Sequence, residues 1–366
     1  QARETIMAAI EQAATTGHYA GAVYALNTSA GQRWFELSIA VKGETIEPES
    51  HFIALARDVT ERVQTEQTLH NYARQQAVIA QASQLALSAT KLDTLFDQTT
   101  ELIARTLGIE YCKILELLPD GETLLLKAGV GWHEGLVGHT TVGTEMDSQA
   151  GFTLLTSEPV VVEDLRTETR FSGPPLLHDH HVVSGISVII EGQDGSFGIL
   201  DAHTTQRRHF TQDDVNFVQA IANVLAQAIK QKQAEQALQE SEQKFRTLFE
   251  RTANPILMID SDGNYIDGNA AALKVLECTR DELLTKNVSD FAPPDQKKVL
   301  ENHYPLWEHG GMIETEYYVN GQVKVLDMTI TPVNWQGQRV ILGVGTDITE
   351  RHLAEQRPGA EARERH

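Results

Sequence analysis

The chain is poor in the residues that would place it in several large classes. It holds two cysteines in 366 residues, Cys112 and Cys278, each in an apolar stretch far from the other. That excludes a disulfide framework and reads as small buried hydrophobes in a reducing compartment. Positive charge is scarce: 30 Lys and Arg stand against 51 Asp and Glu, a net charge of −21. A phosphate backbone needs clustered cations, so no nucleic-acid partner is expected. No run of 18 apolar residues occurs, so no membrane span is expected, and no secretory signal pattern opens the chain. The expected location is cytoplasmic, which is compatible with a membrane anchor elsewhere in a longer parent. Also missing are a phosphate-binding Gly loop, a Ser/His/Asp or Cys/His set, and two tight carboxylates at a catalytic position. The chain is read as non-enzymatic as it stands.

What is there is patterned. The length exceeds one ordinary core, and 41% hydrophobic residues indicate folded domains, two or three of them. One phrase occurs twice: Asp58-Val59-Thr60-Glu61-Arg62 and Asp347-Ile348-Thr349-Glu350-Arg351. Each follows a strand-like run and precedes a polar helical stretch. Asp at an N-cap with Glu three residues later is a variant capping box, which starts a helix abruptly where a strand ends. Asp and Arg four apart are expected to pair over the first turn. The caps Asp58, Thr60, Arg62, Asp347, Thr349 and Arg351 are therefore the candidate signal-transmission residues.

The repeat extends upstream. Residues 18–26 and 33–40 in the first copy, and 312–319 and 323–330 in the second, alternate as half-buried strands. Asn320-Gly321 is a hairpin signal. The second copy also has a front half: a strand at 256–260, a turn, a return at 265–268, and a helix opening at Asn269. The first copy has only a helical stretch, residues 4–14, before its strands and is read as beginning mid-domain. Between the copies, about residues 85–230, five strand-like runs are bracketed by helices, an α+β pattern. On the stretch 213–250, Phe217, Val224, Gln231, Leu238 and Phe245 recur every seven residues, with Ile221, Ala228 and Phe249 on a neighbouring stripe. Such a seam implies a parallel coiled coil and a homodimer, with Gln231 as its weak point.

These residues resemble known sensory families. Phe245 to Leu276, with Asn269 and the closing Asp347–Arg351 phrase, is similar to a PAS domain. Residues 184–190, 198–203 and 210–226 resemble a GAF domain, and the first copy resembles the C-terminal half of another PAS domain. The resemblance implies an α+β fold of tandem PAS-like and GAF-like antiparallel-sheet domains joined by long connector helices. The expected layout is a partial PAS-like domain over 1–62 and a connector helix over 63–90. A GAF-like domain over 85–230, a connector or coiled coil over 213–250 and a PAS-like domain over 245–351 follow. Residues 352–366 read as a broken-off output helix or tail. The implied parent is a bacterial multidomain sensor of the histidine kinase or diguanylate cyclase type, whose C-terminal output domain is the expected partner.

The resemblance places a candidate GAF pocket at Phe152, Leu177, His180, His181, Ser187 and Asp201. A candidate PAS pocket, open to a small apolar ligand, is formed by Tyr265, Asn269, Phe291, Trp307, Tyr317 and Met328. The His178-Asp179-His180-His181 cluster has metal-ligand side chains, but adjacent residues rarely all face one ion, so it reads as pocket wall or surface loop. No cofactor is expected. Covalent bilin attachment lacks the Cys beside a His, flavin–cysteinyl chemistry lacks its Asn-Cys-Arg-Phe-Leu phrase, and haem would have to use His303 or His309. The expected function is a dimeric sensory module relaying a stimulus to an output domain. The rival readings are a ligand-free dimerisation scaffold with filled cores and a haem, flavin or bilin sensor.

Overall fold

The computed structural model describes residues 2–29, 31–42, 51–193, 195–293, 309–335 and 337–355. It divides into two compact units, residues 1–233 and 234–366. One 40-residue helix, Gln212–Arg251, carries the chain from the first unit into the second.

The first unit opens with helix α1 (Ala2–Thr16) and three antiparallel strands, β1 (His18–Thr28), β2 (Gly31–Lys42) and β3 (His51–Asp58). Alternation sends Ala22, Tyr24, Leu37 and Ile39 inward, where Ala9 and Ala13 of α1 meet them. Strand β3 lies at the sheet edge and exposes Ile53 and Leu55. Helix α2 (Thr60–Ser88) follows and stops where Ala89 turns extended. A second helix, α3 (Leu92–Leu107), follows and is closed by Gly108 in the left-handed region.

A six-stranded antiparallel sheet comes next. Its strands are β4 (Tyr111–Leu117), β5 (Thr123–Val130), β6 (Thr141–Gly143), β7 (Val160–Val162), β8 (Ser184–Glu191) and β9 (Ser196–Thr204), in spatial order β6-β5-β4-β9-β8-β7. Strands β8 and β9 are buried nearly throughout, because both sheet faces are covered. On one face Cys112, Ile114, Ile186, Val188, Leu200 and Ala202 pack against α3, α2 and the start of the long helix. The other face is covered by α4 (Gln149–Thr156), α5 (Pro175–Asp179) and the segment around Trp132.

The long helix, here α6, is buried over its first turns and again at Phe249 in its last. Phe217 and Ile221 belong to the first unit's core. The front of the expected heptad stripe is therefore already covered, whereas Leu238 and Phe245 are 63% and 50% exposed.

The second unit holds β10 (Ile256–Ile259), β11 (Tyr265–Gly268), helices α7 (Ala270–Leu276) and α8 (Arg280–Leu283), then β12 (Gly311–Val319), β13 (Gln322–Trp335), β14 (Gln338–Asp347) and α9 (Thr349–Glu355). The sheet order is β11-β10-β14-β13-β12. Asn320 and Gly321 both take positive φ, as a two-residue hairpin loop between β12 and β13 requires. Strand β14 is central, paired with both β10 and β13, where its first-copy counterpart β3 is an edge. Cys112 is fully buried; Cys278 is only half-buried.

Candidate functional site

The repeated phrase builds the same latch twice. Asp58 Oδ1 accepts the Thr60 amide at 3.0 Å and the Thr60 hydroxyl at 2.6 Å. Thr60 Oγ1 then accepts the backbone N–H of Trp34, on β2, at 2.9 Å. Beside it the Val59 amide donates to the Trp34 carbonyl at 2.9 Å. In the second copy Asp347 Oδ1 accepts the Thr349 amide at 2.9 Å and its hydroxyl. Thr349 Oγ1 accepts the Val325 amide on β13 at 2.9 Å, and Ile348 donates to the Val325 carbonyl at 2.9 Å. The first turn of each outgoing helix is thereby tied to the strand next to the one it leaves.

This geometry corrects two expectations. The N-cap of α2 is Val59, not Asp58, so no Asp–Glu capping box forms there. Nor do the Asp and Arg pair: Arg62 reaches Glu36 at 3.5 Å, and Arg351 Nε lies 4.0 Å from Glu355. The cause is that Asp58 is already engaged by Thr60 and, at 2.9 Å, by Arg33 on β2. The Thr60 hydroxyl and amide, with Arg33, hold the Asp58 carboxyl below the usual carboxylate range.

The second concentration of chemistry lies in the sheet of the first unit. Lys113, Asp201 and Ser187 are direct cross-strand neighbours on β4, β9 and β8. They share a face with Tyr111, His203 and Gly185, two residues along each strand. Lys113 Nζ lies 2.6 Å from Asp201 Oδ2 and 2.7 Å from His203 Nε2, and it sits over the Trp132 ring, 5.1 Å from its centre. All three titratable groups are buried. Burial alone would raise the Asp201 carboxyl, but the Lys113 charge and His203 hold it well below its ordinary range. Burial, then the Lys113 charge, pushes His203 down to about 4. Among the described residues the Ser187 hydroxyl, Asp201 Oδ1 and His203 Nδ1 have no hydrogen-bond partner, and Asp201 Oδ2 is engaged by the Lys113 ammonium as an ion pair rather than through an aligned hydrogen bond.

Glycines and a second histidine frame this cluster. A Cβ on Gly185 would lie 2.2 Å from His203 Nδ1, and one on Gly129 would lie 2.7 Å from Trp132 Cδ1. Trp132 Nε1 donates to the Cys112 carbonyl at 2.9 Å. His180 accepts the His133 amide at Nε2 (3.1 Å), so its proton is on Nδ1, donated to the Leu176 carbonyl at 2.8 Å. Its ring stands edge-on to Trp132 and Tyr111.

Of the other expected residues here, Leu177 is core and Phe152 packs at a tilt against Phe171, ring centres 5.5 Å apart, with Arg170 over both rings. His181 is exposed in the left-handed region. His178 contacts the Ser172 carbonyl at 3.0 Å, so the imidazoles of the cluster turn to separate partners.

In the second unit Tyr265, Phe291, Tyr317 and Met328 share one core. Met328 lies over Gly343 and Gly345, where a Cβ would meet its Cε at 2.7 Å and its Sδ at 2.2 Å. Burial raises the Tyr265 phenol well above its ordinary value and Tyr317 to about 12. Asn269 is held by backbone alone. Its Oδ1 accepts Ile256 and Ala272 amides at 2.9 Å, and its Nδ2 donates to the Phe249 and Asn254 carbonyls at 2.9 Å. Trp307 and His303 lie outside the described residues, and His309 is exposed.

Two contacts had no signal in the sequence. Gln75 Nε2 donates to Asp214 Oδ1 at 3.2 Å, a buried bond between α2 and α6. Arg280 pairs with Glu250 and donates to the Gly268 carbonyl at 3.0 Å, while Glu250 accepts the Ala270 amide at 3.0 Å. The last turn of α6 is so fixed to the second unit's sheet and its first helix.

Comparison with known proteins matches residues 91–229 to the GAF domain and residues 243–348 to the PAS fold. A methyl sulfide methyltransferase-associated sensor of Methanosarcina acetivorans is 28% identical over 162 residues, 43% of this chain and 16% of that protein. Sporulation kinase E of Bacillus subtilis is 29% identical over 118 residues, 31% of this chain and 16% of that kinase. The matched regions thus cover a small part of either relative. Among solved structures, a GAF domain of a Coxiella burnetii phosphoenolpyruvate-protein phosphotransferase is 19% identical (TM-score 0.42), covering 46% of this chain and all but 1% of its own. A PAS domain of an HTR-like protein from Haloarcula marismortui is 20% identical (TM-score 0.30), covering 32% of this chain and 99% of its own. By the two family matches, the first unit contains a GAF domain and the second contains a PAS domain. Both are sensory rather than catalytic domains, and they support a signal-sensing role. No helix among the described residues is long and apolar enough to cross a membrane.

Proposed function

We propose that this chain is the sensory region of a multidomain signalling protein and passes a change in sheet packing to an output domain through its latched helices. The observation that carries the reading is the doubled Asp-x-Thr latch. A strand amide, a threonine hydroxyl and an aspartate join sheet to outgoing helix in the same way at Trp34–Thr60 and at Val325–Thr349. Any shift of the sheet must move the first turn of the helix. Downstream of the GAF domain, Phe249 and Glu250 at the end of α6 are bonded to Asn269, Ala270 and Arg280 of the PAS domain. The output is of the histidine kinase or diguanylate cyclase type.

The chain acts as a homodimer in this reading. From Leu238 to Leu248 the helix exposes Leu238, Phe245 and Leu248, apolar side chains that a second copy would cover. Stimulus would enter through the GAF face bearing His180, Ser187 and Asp201, or through the PAS core around Tyr265, Phe291, Tyr317 and Met328. The test is Asp347→Ala and Thr349→Val in the full-length parent. Regulated autophosphorylation or cyclic-dinucleotide synthesis is expected to uncouple from stimulus while the PAS domain stays folded. Regulation equal to that of the unaltered parent in both variants would refute the relay.

A second reading, a ligand-free scaffold with filled cores, is favoured by one observation: Lys113 and Asp201 satisfy much of each other's charge inside the GAF domain. A thermal-shift screen with small metabolites separates the two, since a scaffold responds to none.

A further inference from the structure

We propose that the GAF face formed by Asp201, His203 and Trp132 is a primary-ammonium site, and that the chain's own Lys113 is its occupant. This goes beyond the relay reading and does not depend on it.

Three different recognition elements converge on Lys113 Nζ. The Asp201 carboxylate at 2.6 Å supplies opposite charge, and His203 Nε2 at 2.7 Å supplies a lone pair. The indole face of Trp132, 5.1 Å away, supplies the negative side of a ring quadrupole. An ammonium has only donors, so His203 Nε2 must accept and its proton resides on Nδ1. A carboxylate, a neutral imidazole nitrogen and an aromatic face together select a primary ammonium. A quaternary ammonium has no N–H for Asp201 and His203, and an alcohol has no charge for Asp201.

The walls are fixed by groups other than the lysine. Trp132 is held by its bond to the Cys112 carbonyl and by the space over Gly129. Gly131 has φ +88°, and a Cβ there would lie 2.2 Å from the Glu110 carbonyl, so the turn that delivers Trp132 requires glycine. Gly185 leaves room for the His203 ring. His180, locked between Leu176 and the His133 amide, buttresses the far edge of the indole.

Stability does not account for the lysine. It lies within an apolar shell that includes Leu115, Ile189 and Ile199. A buried ion pair in such a shell is often no better than apolar side chains of the same volume. Three further polar atoms, on Ser187, Asp201 and His203, stay unpartnered beside it. This is the composition of a recognition site rather than of a filled core.

The test removes the tether and supplies the head group. In the 366-residue chain, Lys113→Ala deletes three carbons and the nitrogen, which n-propylammonium restores. The variant is expected to bind n-propylammonium saturably, with a rise in Tm and a calorimetric isotherm, and at least about tenfold more tightly than tetramethylammonium or 1-propanol. The unaltered chain and the Lys113→Ala/Asp201→Asn double variant are expected not to respond. A folded Lys113→Ala chain that ignores n-propylammonium, that fails to discriminate among the three probes, or that responds no better than the unaltered chain would overturn the proposal. Should Lys113→Ala not fold, nitrogen-15 NMR of the unaltered chain decides it. The proposal requires a slowly exchanging Lys113 ammonium and a His203 protonated at Nδ1. A His203 protonated at Nε2, or a rapidly exchanging ammonium, overturns it.

Discussion

Val325 donates its backbone N–H to Thr349 Oγ1 at 2.9 Å, and Trp34 does the same for Thr60 at 2.9 Å. In both copies the acceptor hydroxyl is itself engaged by an aspartate two residues earlier, so the threonine bridges a strand and a carboxylate. The bridge needs an oxygen at that position and a side chain of threonine's shape.

Thr349→Val keeps the shape and removes the oxygen. The half-buried Val325 amide then loses its acceptor, at a cost of about 1–3 kcal/mol. Denaturant unfolding of the second unit should shift by that amount. Hydrogen exchange at the Val325 amide should accelerate, while amides of β10 stay protected. Thr60→Val should produce the matching change at the Trp34 amide. Equal protection at Val325 in variant and unaltered chain would show that the hydroxyl is not its acceptor.

Asn269 makes a stronger prediction, because every hydrogen-bonding capacity of its amide is in use. Asn269→Ala removes an N-cap, worth about 1 kcal/mol, and strands the buried carbonyl of Phe249, which costs about 1–3 kcal/mol more, besides freeing the part-buried carbonyl of Asn254. The PAS domain should unfold at lower denaturant in a separate transition, with the GAF transition unmoved. Asn269→Asp keeps the cap but turns an acceptor toward both carbonyls, so it is expected to be no better than alanine.

Gly185→Ala probes the packing of the buried histidine. The new methyl would sit 2.2 Å from His203 Nδ1, inside contact distance of a ring that Lys113 and the sheet hold in place. Overpacking of this kind costs about 1–3 kcal/mol. Gly121→Ala serves as the comparison: its Cβ would meet nothing within 4 Å, and any loss there comes from its φ of +72° alone. The GAF transition should fall in Gly185→Ala, and His203→Ala in the same background should recover part of the loss.

These sites differ in how plainly the sequence showed them. The hairpin at Asn320-Gly321 was legible because it is local, needing only positive φ at two adjacent residues. The repeated phrase was visible as the start of each outgoing helix, but not as a latch, because the Trp34 and Val325 amides that complete it come from the neighbouring strand. The role of Asp58 was misjudged because its partner Arg33 comes from the neighbouring strand, which no helical spacing rule anticipates. Lys113 was hidden inside Tyr111-Cys112-Lys113-Ile114-Leu115, where one lysine in an alternating strand reads as a solvent-facing position. Only the coverage of both sheet faces makes it a buried charge. Gln75 was one glutamine among many in α2, and its partner Asp214 is 139 positions away. The seven-residue stripe on α6 was visible, but not that Phe217 and Ile221 would be claimed by the GAF core.

The His203 environment sets a pH dependence whose sign follows from its partners. His203 lies against Lys113 of the neighbouring strand, Asp201 two residues earlier on its own strand, and Trp132 at its side. Burial and the Lys113 charge bring its folded value to about 4, below the ordinary histidine value of 6.5. Between those limits the unfolded chain binds a proton that the folded chain does not. Stability is therefore complete above about pH 6.5 and falls as the pH drops toward 4, by up to about 1.4 kcal/mol per pH unit. Asp201, held below its ordinary range, adds a loss of the same sign once the pH passes below the ordinary carboxylate value. Urea unfolding of the GAF transition at pH 7.5, 5.5 and 4.5 should show the decline. His203→Gln should lower stability at pH 7.5 yet flatten the slope between 6.5 and 4.5. An unchanged slope in that variant would assign the acid sensitivity to another group.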